Sequence, residues 1–260
     1  MSLLLSSPAL YLSLSILLGL IVGSFLSMLT WRMGQAAAQN LDVTWLSLVG
    51  GRSACPNCDK TLTWHQLVPV FSWCVQRGKC ASCQTSISPR YPLIELSCAV
   101  LTLAVIWQFG PTAQGIYYVV FGWMLLAMVV IDIEHHLLLD QLTLPLMWLG
   151  LLINTQALIT PLNEAVWGAA LGYLLLWTLY HVFLFLTGKE GMGYGDFKLL
   201  AALGAWFGWS ALPQIILVAS LSSLFITLGL WLLRRVSLQA PIPFGPYLAL
   251  GGLSMVFIPA

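Results

Sequence analysis

The chain has 260 residues, of which 59% are hydrophobic and only 7% are charged, and its formal net charge is +1. Water-soluble domains carry about 25% charged residues, so this balance excludes a soluble globular protein. The near-neutral charge, with no basic patch interleaved with aromatic residues, gives no indication of nucleic-acid binding. The composition instead predicts a protein that crosses a membrane several times and contacts lipid along much of its surface.

Apolar runs that are long enough to cross a bilayer recur along the chain. A membrane-spanning helix needs roughly 17 to 25 mostly apolar residues. The first run has no Lys or Arg before it and is longer than the apolar region of a secretory signal peptide, so we expect a retained helix. Some runs are short or adjoin each other, which makes seven the alternative count, but the pattern favours about eight membrane helices. The predicted spans are residues 8–30, 92–109, 116–132, 141–158, 164–187, 197–210, 212–233 and 243–259.

The positions of Lys and Arg indicate how these helices are oriented. If the N-terminus lies outside, all ten Lys and Arg residues fall in or beside alternate loops, of which residues 33–91 form the largest. Loops on the cytoplasmic side of a membrane carry an excess of Lys and Arg. This distribution predicts that the loop 33–91 and the Arg234-Arg235 pair lie in the cytoplasm.

The runs and the loop together predict an all-α polytopic fold with one small soluble insertion. We expect a first transmembrane helix at residues 1–31, a cytoplasmic loop domain at 32–91, and a transmembrane helical domain at 92–260. No internal repeat is visible in the sequence.

Two Cys-x-x-Cys pairs in the loop, Cys55/Cys58 and Cys80/Cys83, are separated by 21 residues. Each pair presents two sulfurs from one tight turn, so four thiolates can close a tetrahedron around zinc. The cytoplasm keeps thiols reduced, which makes disulfides the weaker interpretation. Four protein ligands leave no open position for catalysis, so we expect a structural zinc ion that the small loop needs in order to fold.

Several other potential ligands do not form a recognisable site. Cys74 and Cys98 fit neither Cys-x-x-Cys pair; we expect Cys98 to pack in a helix and Cys74 to be a buried or bystander residue, with an adventitious metal ligand as the alternative. The sequence Glu134-His135-His136 suggests a metal alternative. Adjacent histidines point to different faces of a helix, however, so they make a poor bidentate pair.

Two acidic residues lie at the ends of apolar runs. Asp132 follows the run 116–131, and Asp196 follows a glycine-rich segment that contains Gly191, Gly193 and Gly195. A charged side chain at a membrane boundary is costly to keep unless it has a function. The glycines indicate that backbone or substrate must approach closely there. We therefore expect Asp132 and Asp196 to form a reacting pair.

Each acid also has a purely structural interpretation. Asp132 could mark the end of a helix at the membrane interface. Asp140 precedes another apolar run and is typical of a helix N-cap. Asp196 could likewise cap a helix that starts at Phe197, but a cap does not explain the three glycines before it.

The sequence lacks the motifs of other hydrolases. Gly191 to Gly195 follows no strand and is not a dinucleotide fingerprint. There is no Gly-x-Ser-x-Gly, no His-Glu-x-x-His and no Lys/Ser dyad. Two Asp side chains that approach within hydrogen-bonding distance cannot both ionise cheaply, so one keeps its proton while the other activates water. Paired carboxylates thus point to aspartic-protease chemistry.

These features together resemble the bacterial prepilin peptidases over most of the chain. The resemblance implies that Asp132 and Asp196 are the catalytic pair of an enzyme in the bacterial inner membrane whose N-terminus is periplasmic. It also implies removal of basic leader peptides, typically after glycine, from type IV prepilins or type II secretion pseudopilins, followed by N-methylation with S-adenosylmethionine. The similar stretches are Gly23–Leu26, Ser53–Cys58, Lys79–Cys83, Ser88–Glu95 and Gly188–Ala205.

The chain departs from this family pattern at four positions. Ser27 stands where Asn is usual and Leu139 where Pro is usual, and Asp59 and Gln84 follow the cysteine pairs where Gly is frequent. None of these changes touches the carboxylate pair, whereas the change at Ser27 bears on methylation. Nothing in the spacing reveals the cofactor contacts; Glu95 and the cysteine loop are the candidates.

The predicted function is thus a membrane aspartyl endopeptidase. The alternative is a proton-coupled transporter or a membrane assembly factor that uses the two acids as a proton relay. A transporter favours acids near the bilayer midplane and paired repeats. Here both acids lie at the predicted cytoplasmic boundary, which favours the peptidase.

Overall fold

The computed structural model describes residues 7–39, 41, 48–189, 191–233 and 243–258. Nine α-helices lie wholly within these ranges, where the only β-type pairing is two isolated bridges, between Ala54 and Thr61 and between Lys79 and Ser86. The all-α prediction is confirmed for the described part of the chain. The helices are α1 (Pro8–Ala38), α2 (Phe71–Val75), α3 (Arg90–Phe109), α4 (Ala113–His135), α5 (Asp140–Asn154), α6 (Leu162–Thr187), α7 (Tyr194–Phe207), α8 (Leu212–Leu232) and α9 (Gly245–Phe257).

Every apolar run predicted from the sequence contains a helix. Helices α1, α3, α4 and α6 and the segment Trp209–Leu232, a 3-10 turn followed by α8, are long and apolar enough to cross a membrane. These five segments make the chain a multi-pass membrane protein. Helices α5, α7 and α9 have only 15, 14 and 13 residues. Their length of about 20 Å is less than the roughly 30 Å of the hydrocarbon core. The Arg234-Arg235 pair lies outside the described residues.

Apolar side chains cover the outer faces of the long helices. Leu179 and Phe185 of α6 and Leu224 and Phe225 of α8 are among the exposed large hydrophobic residues. An apolar surface of this extent is unfavourable in water and matches hydrocarbon.

The chain divides into two compact units, Met1–Ala127 and Met128–Ala260, and the boundary falls within α4. In the N-terminal unit, α1 packs along α3. The Arg90 guanidinium of α3 donates hydrogen bonds of 2.8 Å to the Ser27 carbonyl and to the Thr30 hydroxyl of α1. These charge-assisted bonds join the second half of α1 to the start of α3.

Helix α7 forms the centre of the C-terminal unit, where α5, α6 and α9 pack against it. Apart from Lys198, every residue of α7 from Asp196 to Trp206 is buried. The Trp206 indole donates a 2.8 Å hydrogen bond to the Leu146 carbonyl of α5. A helix that is apolar all round is expected in such a core position.

Two glycines allow α6 and α7 to approach at the level of the backbone. A Cβ atom at Gly168 of α6 would collide with the Gly204 carbonyl of α7, and a Cβ atom at Gly204 would collide with the Gly168 carbonyl. Small residues at helix interfaces in membranes have this role, because association there depends on close van der Waals packing.

Replacing Gly168 by Ala should therefore destabilise the protein. Overpacking typically costs about 1–3 kcal/mol, so we expect a clearly lower midpoint of thermal unfolding in detergent. Gly229→Ala is the matched control, because a Cβ atom at Gly229 of α8 would have no neighbour within 4 Å. That control should keep or slightly raise the midpoint, since Ala favours a helix by up to about 1 kcal/mol over Gly. Equal midpoints for the two variants would contradict the close packing.

Candidate active site and metal centre

Asp196 lies in the first turn of α7 and is only 7% exposed. The helix begins at Tyr194, and Gly193 occupies the N-cap position. The interpretation of Asp196 as the N-cap of a helix starting at Phe197 is therefore wrong, because the helix starts three residues earlier. The Gly193 backbone amide interacts with the Asp196 carboxylate, which leaves this carboxylate inside the protein with a local backbone partner.

Asp132 lies in the last turn of α4 and is 5% exposed. The backbone N–H of Gly245, the first residue of α9, donates a 3.0 Å hydrogen bond to Asp132 Oδ2. A Cβ atom at position 245 would come 2.5 Å from the same oxygen. Gly245 was not predicted as a site residue; the only signal in the sequence is the turn-forming segment Phe244-Gly245-Pro246.

Leu138 links the surroundings of the two acids. A Cβ atom at Gly195, next to Asp196, would come 2.6 Å from Leu138 Cβ. A Cβ atom at Gly245, which binds Asp132, would come 3.2 Å from Leu138 Cδ1. The two carboxylates are also close enough for the charge of Asp132 to act on Asp196. The C-terminal unit thus brings the two acids together from separate helices.

This arrangement suits chemistry that needs one protonated and one ionised carboxyl group. Both side chains are buried, and within the described residues no Lys or Arg forms an ion pair with either of them. Two neighbouring buried carboxylates cannot both ionise cheaply, so the pair favours sharing one proton. Such a pair can take a proton from water and give one to a substrate at the same time.

Asp140 has a different role from the one that the sequence suggested. It is the first residue of α5, and Leu139 occupies the N-cap position without a side-chain cap bond. The Asp140 carboxylate instead forms a 2.6 Å ion pair with Lys198 of α7, with the two side chains 54% and 30% exposed. The N-cap interpretation is therefore wrong, because the helix starts at Asp140 itself and the N-cap position falls on Leu139. Pairs this exposed contribute roughly 0–1 kcal/mol.

The metal alternative at Glu134, His135 and His136 finds no support in the structure. Helix α4 ends at His135, and His136 follows in a left-handed conformation with φ of 55°. Within the described ranges, the one group of three or more candidate ligands that come together is the cysteine set.

The four cysteines Cys55, Cys58, Cys80 and Cys83 converge on one point. Their sulfur atoms all lie within 4.8 Å of one another, and Cys55 Sγ lies 3.8 Å from Cys83 Sγ. Tetrahedral coordination with Zn–S bonds of about 2.3 Å places sulfurs about 3.8 Å apart. The cysteine set therefore fits a tetrahedral metal such as zinc.

The two cysteine turns have the same backbone geometry. In each turn the first cysteine accepts a backbone hydrogen bond at its carbonyl, 2.9 Å from the N–H of Asp59 in one turn and of Gln84 in the other. Asp59 and Gln84 are left-handed, with φ of 54° and 59°. Glycine adopts this conformation without steric cost, so Gly would fit both positions with less strain than Asp or Gln.

Hydrogen bonds around the second turn favour a thiolate ligand. The Thr85 hydroxyl lies 3.4 Å from Cys83 Sγ and the Asn57 amide nitrogen 3.7 Å from it. Bonds from the Thr85 hydroxyl and backbone and from Asn57 lower the pKa of Cys83 to about 6. Of the two other cysteines, Cys98 is buried in α3, as expected, and Cys74 is exposed.

Comparison with known proteins places these features in one family. Residues 17–109 match the Bacterial Peptidase A24 N-terminal domain, and residues 119–228, which contain both buried acids, match the Type IV leader peptidase family. The prepilin leader peptidase/N-methyltransferase of Stutzerimonas stutzeri is 44% identical over 95% of this chain and 90% of its own length. The proteins of the same name from Aeromonas hydrophila and Pseudomonas aeruginosa are 46% and 43% identical, over 94% and 95% of this chain and 90% of their lengths. No solved structure is significantly similar.

Fold and site thus define a multi-pass helical membrane protein with a buried pair of carboxylates and a tetracysteine centre. With relatives above 40% identity along nearly its whole length, the chain belongs to the type IV leader peptidase family.

The left-handed conformations of Asp59 and Gln84 predict how a glycine at either position would affect metal binding. Asp59→Gly and Gln84→Gly should each make the metal more resistant to removal, because a left-handed side chain costs about 1–2 kcal/mol and the added freedom of Gly costs about 0.5–1. In protein loaded with zinc, the chelator concentration that removes half of the metal should rise about two- to fivefold. Lys60→Gly, in the same turn but without positive φ, is the control and should lower it. A fall for all three variants would contradict the proposed relief of strain.

Proposed function

We propose that this chain is a membrane aspartyl endopeptidase in which Asp132 and Asp196 are the catalytic residues. One observation carries the proposal: the C-terminal unit holds two buried carboxylates whose flanking glycines, Gly195 and Gly245, both pack against Leu138, and no Lys or Arg of the described residues forms an ion pair with either acid. Membership of the type IV leader peptidase family supports it, since both acids lie in the matched range 119–228.

The proposed reaction uses the pair as a combined base and acid. As the water oxygen attacks the scissile carbonyl carbon, the ionised carboxylate takes a water proton and the protonated partner gives its proton to the carbonyl oxygen. In the collapse of the resulting diol, the carboxyl group that was protonated in the first step gives its proton to the leaving nitrogen, the other carboxylate takes a diol O–H proton, and the C–N bond breaks. The Gly245 N–H bond holds the Asp132 carboxylate in place, while burial in α7 holds Asp196.

The proposed substrates are type IV prepilins or type II secretion pseudopilins. The names of the relatives support this choice, because each is a prepilin leader peptidase. The apolar segment of the substrate would lie among the membrane helices and its basic leader in the cytoplasm. The scissile bond would then reach the two acids at the cytoplasmic edge of the membrane.

The proposed topology places eight helices in the bacterial inner membrane, with a periplasmic N-terminus and a cytoplasmic cysteine loop. Five long apolar segments and the distribution of Lys and Arg support this arrangement. The proposed parts are a first helix at 1–31, the zinc-binding loop domain at 32–91 and the catalytic domain at 92–260. The short helices α5, α7 and α9 would complete the count of eight.

The loop would hold a structural zinc ion and the enzyme would also methylate its product. Cys55, Cys58, Cys80 and Cys83 would hold the zinc, which leaves no open position for a reacting group and supplies folding energy to the loop. The relatives are named N-methyltransferases as well, so we propose that the new N-terminus is methylated with S-adenosylmethionine.

Replacing either acid by its amide should abolish cleavage. Asp132→Asn and Asp196→Asn each remove a group that must carry or accept a proton, so we expect a loss of about 10²–10⁴-fold. The measurement is leader removal from a prepilin by purified enzyme in detergent, followed on a gel. Asp140→Asn is the matched control, because its exposed carboxylate pairs only weakly with Lys198. It should cleave within about threefold of the unchanged enzyme.

Zinc content and the unfolding midpoint of each variant show whether it is folded. Full cleavage by Asp132→Asn or Asp196→Asn would remove that residue from the catalytic pair. A loss of cleavage in Asp140→Asn as large as in the other two would show that the assay responds to any lost carboxylate.

The contact between Gly245 and Asp132 generates a separate prediction. Gly245→Ala keeps the backbone N–H but places a methyl group 2.5 Å from Asp132 Oδ2, so the carboxylate must move. A displacement of about 1 Å can cost roughly 10²-fold in rate, and we expect kcat for leader cleavage to fall by at least tenfold. Gly229→Ala serves as the control and should cleave normally. An unchanged kcat in Gly245→Ala would show that the position of Asp132 does not depend on this glycine.

A further inference from the structure

The N-terminal unit contains a cavity of about 510 Å³ that the proposed proteolysis does not use. Its walls come from the second half of α1, the first turns of α3 and the cysteine loop. The volume lies in the range of about 300–1,000 Å³ that is typical of sites for small molecules and cofactors. The whole cavity lies within one compact unit, whose internal packing fixes its shape.

The cavity wall combines both signs of charge with aromatic surface. Glu95 and Asp59 contribute carboxylates, Arg32 and Arg52 contribute guanidinium groups, and Trp31 and Tyr91 contribute rings. Aromatic rings stack on planar bases and attract cations, while the paired charges suit a ligand that carries both an ammonium and a carboxylate group. This combination suits a ligand in which an amino acid is joined to a nucleoside.

Glu95 is the most unusual member of this wall. It lies in an apolar membrane helix, α3, and is 6% exposed. An acidic side chain in such a helix is costly and is typical of a functional site. Its Oε2 accepts a 2.7 Å hydrogen bond from the backbone N–H of Val70 in the cysteine loop. Glu95 thus holds the loop against the membrane helices at the edge of the cavity.

The loop is strained where Glu95 holds it. Val70 has φ of 60° and ψ of −52°, and the N–H of Phe71 donates to the Pro69 carbonyl, which together form a γ-turn. A β-branched residue with positive φ is a rare conformation that persists only where the surroundings enforce it, and such residues cluster at ligand sites.

We propose that this cavity is the binding site of S-adenosylmethionine, an inference that rests on the methyltransferase part of the proposed function. The ligand carries an adenine ring, an ammonium group, a carboxylate and a sulfonium cation, which match the rings and the two kinds of charge in the wall. When bound, it supplies an electrophilic methyl group. Glu95 and the two arginines would hold its charged groups, and Trp31 and Tyr91 its apolar and cationic parts.

Ser27 lies in the wall of the proposed cofactor site. It lines the cavity, is buried, and donates its hydroxyl proton to the Ser24 carbonyl at 2.8 Å. The position where the family usually has Asn therefore faces the cofactor cavity, whereas both catalytic acids lie in the other unit.

Filling the cavity should abolish binding in the intact protein. Ser27→Leu places a larger side chain in the wall, and we expect the dissociation constant for S-adenosylmethionine, measured by equilibrium dialysis in detergent, to rise at least tenfold. Ser15→Leu is the matched control: Ser15 is also a buried serine of α1 that bonds a carbonyl three residues earlier, but it does not line the cavity. The affinity of the Ser15→Leu variant for S-adenosylmethionine should not change. Unchanged affinity in Ser27→Leu would overturn the proposal.

Photolabelling of the unchanged protein tests the site without relying on any variant. 8-Azido-S-adenosylmethionine should label peptides that contain residues 24–32 or 52–95, and excess S-adenosylmethionine should prevent the labelling. Label confined to residues 128–258, or no saturable binding, would overturn the proposed site. Leader cleavage is assayed on the same preparation: cleavage without binding overturns this site alone, whereas binding without cleavage overturns the proposed proteolysis.

Glu95→Gln separates recognition of the ligand from support of the loop. Gln keeps an oxygen that can accept the Val70 N–H but removes the negative charge. S-Adenosylhomocysteine lacks the sulfonium charge of S-adenosylmethionine, so the variant should lose at least threefold more affinity for the cation than for the thioether. Equal losses for the two ligands would assign Glu95 to the support of the loop alone.

Discussion

Burial of two carboxylates inside an apolar helical unit is the constraint on which the C-terminal half of this protein depends. Asp132 and Asp196 are both almost inaccessible, and a buried acid is tolerated only where backbone donors or a shared proton compensate for lost water. The Gly245 N–H provides one such donor. Glycine at 195 and 245 lets the backbone pack closely against Leu138. The position of the two acids therefore depends on the turns that contain these glycines.

In the N-terminal unit, the main constraint is that a small polar loop must be ordered against membrane helices. Few apolar residues are available there for a core, so the loop depends on its four cysteines and on single hydrogen bonds to the helices. Arg32 donates to the carbonyls of Leu48 and Gly50, and Glu95 accepts from Val70. Order in the loop and the shape of the cavity beneath it therefore have the same origin.

Local patterns in the sequence predicted the features that depend on local chemistry. The spacing of the Cys-x-x-Cys pairs predicted the cysteine cluster, because each turn positions its own two sulfurs. The apolar runs predicted every long helix. Of the three glycines before Asp196, which predicted a close approach of backbone or substrate, Gly195 packs closely against Leu138, whereas Gly193 has no close neighbour. The N-cap interpretations of Asp140 and Asp196 were wrong. The helix at Asp140 starts one residue earlier than expected and the helix at Asp196 three residues earlier, so in both cases the residue before the helix, Leu139 or Gly193, takes the N-cap position.

Composition and spacing alone determined that this is a helical membrane protein with four clustered cysteines and two boundary acids, because hydrophobicity and short turns act within a few residues. The packing of the helices was needed to show that Asp132 and Asp196 both lie near Leu138 and that Gly245 binds Asp132. It was also needed to show that α7 is the buried centre of its unit and that Ser27 and Glu95 line a common cavity. These relations join residues that are far apart in the chain. They depend on which helix faces pack together, and that choice is made by the whole set of side chains at each interface.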